Sequence, residues 1–331
     1  MQTFIAGLPK AELHLHIEGT LEPDLKFELA ERNGVLLTAA SIAEMRRAYD
    51  FDDLSSFLAV YYEGMSVLLT EQDFYDLTLA YLTKARGQGV LYSEIFFDPQ
   101  AHTSRGIPFD TVIRGIRRAQ EDGASNLGID SQLIMCFLRD MSAESAEETL
   151  DQSLEYKQWI VGVGLDSDER GNPPIKFAEV FARARREGYR LTMHCDVDQD
   201  DSVSHIWQCL NDIGVERVDH GVNSLDDPGL VEEILRRDLT LTVCPISNGY
   251  VTDGTKAAAI KKMLDLGMRV TINSDDPAYF PGYMQENLVV AQREAGLTKA
   301  ELVRLVRNAF EGAWINQGQR TRYLEILETY A

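Results

Sequence analysis

Short apolar runs rich in β-branched and aromatic residues recur along the chain, and longer stretches between them carry apolar positions three or four residues apart. The runs at 12–16, 90–97, 131–138, 159–165, 189–194, 217–220, 239–244 and 269–273 predict eight strands. The stretches at 71–86, 109–121, 143–157, 176–187, 228–237 and 256–266 predict helices between them. Thr70 and Ser142 stand where helix N-caps belong, and Gly87, Gly188 and Gly267 stand where helices should close before strands. Strict alternation implies parallel strands joined by right-handed crossovers. Eight such strands fit a closed (β/α)8 TIM barrel better than an open sheet.

Two segments fall outside the repeat. Residues 17–89 add helices near 24–33, 40–49 and 55–68 before the one at 71–86, and residues 284–331 form a helical tail. No low-complexity linker or internal repeat divides the chain, so residues 1–331 read as one barrel domain with a helical insertion after the first strand. At 331 residues and 44% hydrophobic content the chain can bury a large core. A net charge of −21 makes a nucleic-acid backbone an unfavourable partner. Cys136, Cys195, Cys209 and Cys244 are scattered without a CxxC pair, and no apolar run reaches membrane-span length. These features predict reduced thiols and a cytoplasmic protein.

In a barrel of this type the chemistry stands at the C-terminal ends of the strands. The first strand ends with His14 and His16, the second with Asp98, the third with Arg139, the fourth with Asp166 and the fifth with His194. The sixth ends with Asp219 and His220, Ser247 and Asn248 follow the seventh, and Asp275 and Asp276 follow the eighth. Four of the six histidines thus gather at one rim. Period-two alternation puts His14 and His16 on one face, and neutral imidazoles side by side suit a divalent metal, zinc most readily. With His194 and Asp275 the set becomes His3Asp, which leaves room for a water whose pKa the metal lowers. His220 reads either as a further ligand or as the group that orients and deprotonates that water. His102 reads as a surface-loop histidine and His205 as a structural one on a helix.

These residues resemble the adenosine/adenine deaminase family of the amidohydrolase superfamily. The match runs through LPKAELHLHIEGTL, YSEIFFDPQAHTSRGI, VGVGLDSDE, VERVDHG, LTVCPISN and TINSDDPAYFPGY, in the family's order. The resemblance implies a distorted barrel holding one Zn2+ per subunit and hydrolytic removal of the 6-amino group of a purine. It makes His14, His16, His194 and Asp275 the zinc ligands and His220, with Asp275, the catalytic pair that activates water. Asp276 would contact the purine imidazole ring, and Ser167 would lie near its N3 edge. Glu18 in HIEGT, FFDPQ, and Ser167 in GLDSDE resemble the adenine branch more than the nucleoside branch, where an aspartate and a glycine are usual. Adenine is therefore the expected substrate, with adenosine or an N6-substituted purine as alternatives.

One segment departs from the family pattern. The family carries HAGE after the fifth strand, its glutamate protonating purine N1, whereas this chain reads His194-Cys195-Asp196-Val197-Asp198-Gln199. Valine at the glutamate's place cannot carry a proton. Either Asp198 or Asp196 reaches N1 instead, or the substrate differs, or the site binds zinc and purine with little catalysis. The HxE…PCxxC arrangement of polynucleotide deaminases is missing, since Cys244-Pro245-Ile246-Ser247 breaks it.

Overall fold

A computed structural model describes every residue except 48, 50, 52, 53, 196–198 and 331. Eight strands form one parallel sheet in chain order: β1 Lys10–Glu12, β2 Val90–Phe97, β3 Asp130–Leu138, β4 Ile160–Asp166, β5 Arg190–Cys195, β6 Arg217–His220, β7 Thr240–Val243 and β8 Arg269–Ile272. Their residues are almost all buried on both faces, as strands wrapped by helices must be.

Closure between β1 and β8 is irregular, and the irregularity builds the site. The strand expected at 12–16 pairs regularly only through Glu12, because the Asn273 side chain takes the Leu13 amide at 2.8 Å. The chain then stays extended, and the residues after β8 complete the seam through an isolated Leu15–Asp275 bridge. The Asp275 amide donates to His14 O at 3.2 Å, and the His16 amide to Asp275 O at 3.0 Å. On the other side His16 bridges to Phe96 of β2. His14, His16 and Asp275 are thus locked to one another by backbone.

The expected helices form with small shifts. Thr70 makes a reciprocal capping box with Asp73, and Ser142 caps Ala143–Ser153. Gly188 and Gly267 adopt the left-handed cap at φ 91° and 86°, while Gly87 remains helical and Gly89, at φ 81°, makes the turn instead. The insertion after β1 contains the helices Pro23–Asn33, Ile42–Arg47 and Leu54–Gly64, the last packing over the mouth of the barrel.

The tail helices Met284–Ala295, Lys299–Gly312 and Gln317–Glu328 are tied to the far end. There the buried Glu94 carboxylate accepts from Arg217, from the Trp314 amide and from Tyr92 at 2.8 Å. The Arg217 guanidinium lies 4.2 Å from the Trp314 ring centroid. None of the described helices is long and apolar enough to cross a membrane.

Candidate metal centre and substrate cleft

His14, His16, His194 and Asp275 each offer a ligand atom, all within 4.8 Å of one another and all buried. His194 Nε2 lies 3.1 Å from both His14 Nε2 and His16 Nε2, and Asp275 Oδ1 lies 3.2 Å and 3.5 Å from the same two atoms. The opposite face of each ring shows where its proton sits. His14 Nδ1 donates to Thr242 Oγ1 at 2.9 Å, because that hydroxyl spends its own proton on Asp219 Oδ1 at 2.9 Å. His194 Nδ1 donates to Leu165 O at 3.1 Å, and His16 Nδ1 faces Asp166 Oδ2 at 3.4 Å. The hydrogen bonds of His14 and His194, and the carboxylate that His16 Nδ1 faces without a formed hydrogen bond, favour the Nδ1–H tautomer in all three rings. Three Nε2 lone pairs and a carboxylate oxygen then face one another with no proton between them. Such a set is repulsive by itself and complementary to a divalent cation, and N3O donors in this compact arrangement suit zinc.

The electrostatics point the same way. Burial, reinforced by neighbouring imidazoles and opposed by Asp275, pushes His16 down to about 4. The same causes push His220 down to about 3 and His194 well below its usual value. His16, His194 and His220 are therefore held neutral at physiological pH. Burial raises the Asp275 carboxyl, but His14, His220 and His16 outweigh it and hold that group well below its usual range.

Behind the ligands stands Asp219, buried in β6, which was noted in the sequence as a strand-end residue without a role. Its Oδ2 accepts from Thr192 at 2.5 Å and its Oδ1 from Thr242, bracing β5, β6 and β7 under the histidines. The threonines were missed altogether. Their signal was the alternation of RLTMHC and TLTV, which turns a hydroxyl toward the same interior as the histidines.

His220 ends β6 with Nε2 3.7 Å from Asp275 Oδ2. It, Asp275 and Ser167 all hold positive φ, at 58°, 66° and 73°, a conformation strained for side-chain-bearing residues and concentrated here at strand ends facing the cleft. Ser167 accepts a hydrogen bond from Tyr62 at 2.8 Å. Asp276 lies so close to Gly19 that a Cβ there would overlap its carboxylate and backbone. Burial, and then the negative Asp275, raise the Asp276 carboxyl well above its usual value.

The cleft has a volume of about 470 Å³ including its open side. His16, His194, His220 and Asp275 form its metal side, and Ser167 and Asp276 also line it. Helix Leu54–Gly64 covers it with Leu54, Phe57, Leu58, Tyr61 and Tyr62. Glu18 does not reach this surface. Its Oε1 accepts from the Asp98 amide at 3.1 Å and from His102 at 2.9 Å, behind the wall. This corrects the reading of His102 as a surface-loop residue: it sits on helix Pro99–Thr103, fully buried, edge-on to Phe74 and hydrogen-bonded to Arg105. His205 is structural as expected, paired with Glu169 at 2.7 Å. Asp196 and Asp198, the expected proton donors, lie with Val197 outside the described residues.

The adenosine deaminase family profile matches residues 9–330. An uncharacterized deaminase of Schizosaccharomyces pombe is 57% identical over 332 residues, covering 100% of this chain and 98% of its own. The crystal structure of adenine deaminase from Arthrobacter aurescens superposes with a TM-score of 0.94 at 42% identity, covering 98% of this chain and 99% of that one. A zinc-bound amidohydrolase from Burkholderia ambifaria superposes at 0.89 with 26% identity, covering 99% and 93%.

Proposed function

Because the chain belongs to the adenosine deaminase family, we propose that it hydrolyses the 6-amino group of a purine, with adenine as substrate and hypoxanthine and ammonia as products. The observation that carries this reading is the convergence of three Nε2 lone pairs and the Asp275 carboxylate at one side of the cleft. Adenine rather than a nucleoside is supported by the likeness to the Arthrobacter aurescens adenine deaminase. A zinc ion held by His14, His16, His194 and Asp275 would supply Lewis-acid activation of water.

The remaining work falls to the chain's own groups. His220, neutral and 3.7 Å from Asp275, accepts a proton from the attacking water, and Asp275 steadies the resulting charge. Asp276, kept protonated by burial and by Asp275, donates to the acceptor nitrogen of the imidazole ring. Ser167, held by Tyr62, borders the N3 edge. Glu18 acts at one remove, fixing Asp98 and His102 behind the wall. A carboxylic acid at Asp198 or Asp196 protonates N1 as C6 is attacked. A cytoplasmic setting belongs to the same proposal, in keeping with four buried cysteines without a CxxC pair.

The test is amine release from adenine, adenosine and N6-methyladenine by zinc-replete protein, for wild type, Asp196→Asn and Asp198→Asn. Ammonia from adenine, with a large loss in one of the two variants, is the expected result. Zinc-replete protein that turns over none of the three purines would overturn the proposal.

A further inference from the structure

Two carboxylates in the cleft have no task in the chemistry just described. Asp98 ends β2 and Asp166 ends β4; both line the cleft, and they are only 2% and 3% exposed. Among the described residues Asp98 Oδ1 and both Asp166 oxygens lack a well-formed hydrogen bond: the two carboxyls face each other, the Cys136 thiol faces Asp166, and Asp166 Oδ2 stands 3.4 Å from His16 Nδ1. The donors nearby are spent elsewhere: the Asp98 amide on Glu18, and the Tyr62 hydroxyl on Ser167. The Tyr61 hydroxyl, buried in the same wall, also has no partner among the described residues. Buried carboxylate oxygens without donors are costly, and native proteins keep them where a ligand supplies the donor.

Their position says which donor. The metal-side nitrogen of His16 is Nε2, Asp166 stands on its Nδ1 side, and His16, Asp98 and Asp166 each offer an atom within 4.8 Å of the others. One imidazole ring therefore separates the metal centre from this carboxylate pair. A purine that turns C6 toward the metal side directs the far edge of its fused rings, N3 and N9, away from it. A free base carries an N–H on the imidazole ring, and with Asp276 donating to N7 that proton sits on N9. A nucleoside carries carbon at N9 and has no such donor.

We propose that Asp98, backed by Asp166, is a specificity-determining group that accepts the N9–H of a free purine base and rejects purines substituted at N9. The inference rests on the purine reading of the cleft. Tyr61 complements it, offering a hydroxyl donor to an edge that presents one acceptor, N3, beside one donor. Helix Leu54–Gly64 closes this wall with Phe57, Tyr61 and Tyr62, so a sugar on N9 would meet aromatic rings as well as an unpaired carboxylate. Sites built to bond a substrate N–H reject analogues lacking it far more strongly than apolar pockets reject an extra methyl group.

9-Methyladenine isolates the effect, because it differs from adenine by this one substitution. Zinc-loaded protein is assayed for turnover of adenine and 9-methyladenine, and for calorimetric binding of hypoxanthine and 9-methylhypoxanthine. Wild type should favour the unsubstituted base at least 100-fold in both readouts. Asp98→Ser should weaken the unsubstituted base and compress that ratio below tenfold, with zinc content and circular dichroism unchanged. Should the serine variant misfold, Asp98→Asn preserves side-chain size and is expected to lower the ratio in the same direction. A wild-type ratio within fivefold, or a ratio fully retained in a folded variant, overturns the proposal. Protein that binds free bases with this preference but deaminates none upholds it while overturning the deaminase reading. Equal deamination of adenine and 9-methyladenine does the reverse.

Discussion

Replacing Thr242 with valine deletes one hydroxyl from β7 while keeping a β-branched side chain that suits a buried strand. That hydroxyl holds two groups at once: it accepts from His14 Nδ1 at 2.9 Å and donates to Asp219 Oδ1 at 2.9 Å. Its loss frees the His14 ring to rotate or change tautomer, and so misdirects one of the converging Nε2 lone pairs. Partners of this kind, one bond behind a metal ligand, are typically worth about 10- to 100-fold in metal affinity, or about 1.4–2.7 kcal/mol. Asp219 Oδ1 stands 3.9 Å from His14 Nδ1, so a sub-ångström shift would let the carboxylate take over, which favours the lower end of that range. Leaving Asp219 Oδ1 without its donor should also cost the metal-free protein about 1–3 kcal/mol of stability. Competition against a chromogenic chelator measures the first effect, and urea unfolding with excess chelator the second. Zinc affinity within twofold of wild type would refute the claim that Thr242 sets the His14 tautomer.

Other consequences follow from the same geometry. His16 and His220 titrate near 4 and 3 in the fold, against about 6.5 for unfolded histidine, so the unfolded chain binds more protons between those values. The histidines' contribution to the stability of the metal-free protein therefore rises as pH increases from about 4 to about 6.5, while the raised Asp166 and Asp276 carboxyls contribute in the opposite sense; a wild-type minus His220→Gln difference in urea stability that stays flat across this window would contradict the assignment. Gly19→Ala would drive a methyl group into Asp276, and turnover should fall about 100-fold or more, with zinc content preserved; unchanged kcat/KM would show that Asp276 is not in the cleft's working set. His102→Ala removes a fully buried ring and a donor to Glu18, and should cost about 2–4 kcal/mol in urea unfolding, far more than a surface histidine would.

The sequence carried the barrel and its ligands because both are written in local pattern. Alternation along the strands marks which residues face inward, and HLH, the histidine ending β5 and the aspartate pair after β8 fall at strand ends whatever the details of packing. What it did not carry are contacts that depend on elements distant in the chain. The end of β1 is set by Asn273, roughly 260 residues away, which no periodicity near Leu13 announces. His102 follows a proline and looks like a loop residue until the fold brings Glu18 and Phe74 around it. Asp98 and Asp166 stood out as strand-end carboxylates, yet what distinguishes them is how few donors among the described residues reach them, and that is a property of three dimensions. Asp219 is legible as a strand-end acid, but its function depends on two threonines from neighbouring strands.

The central claim is that four residues at the mouth of the barrel hold one metal ion and that this ion is required to hydrolyse adenine. Zinc titrated back into chelator-stripped protein, with hypoxanthine formation from adenine followed at each addition, tests it directly. The rate should rise in proportion to added zinc and level off at one zinc per chain, and His194→Ala should stay inactive throughout. Turnover by the stripped protein, or none at one bound zinc per chain, would contradict the account.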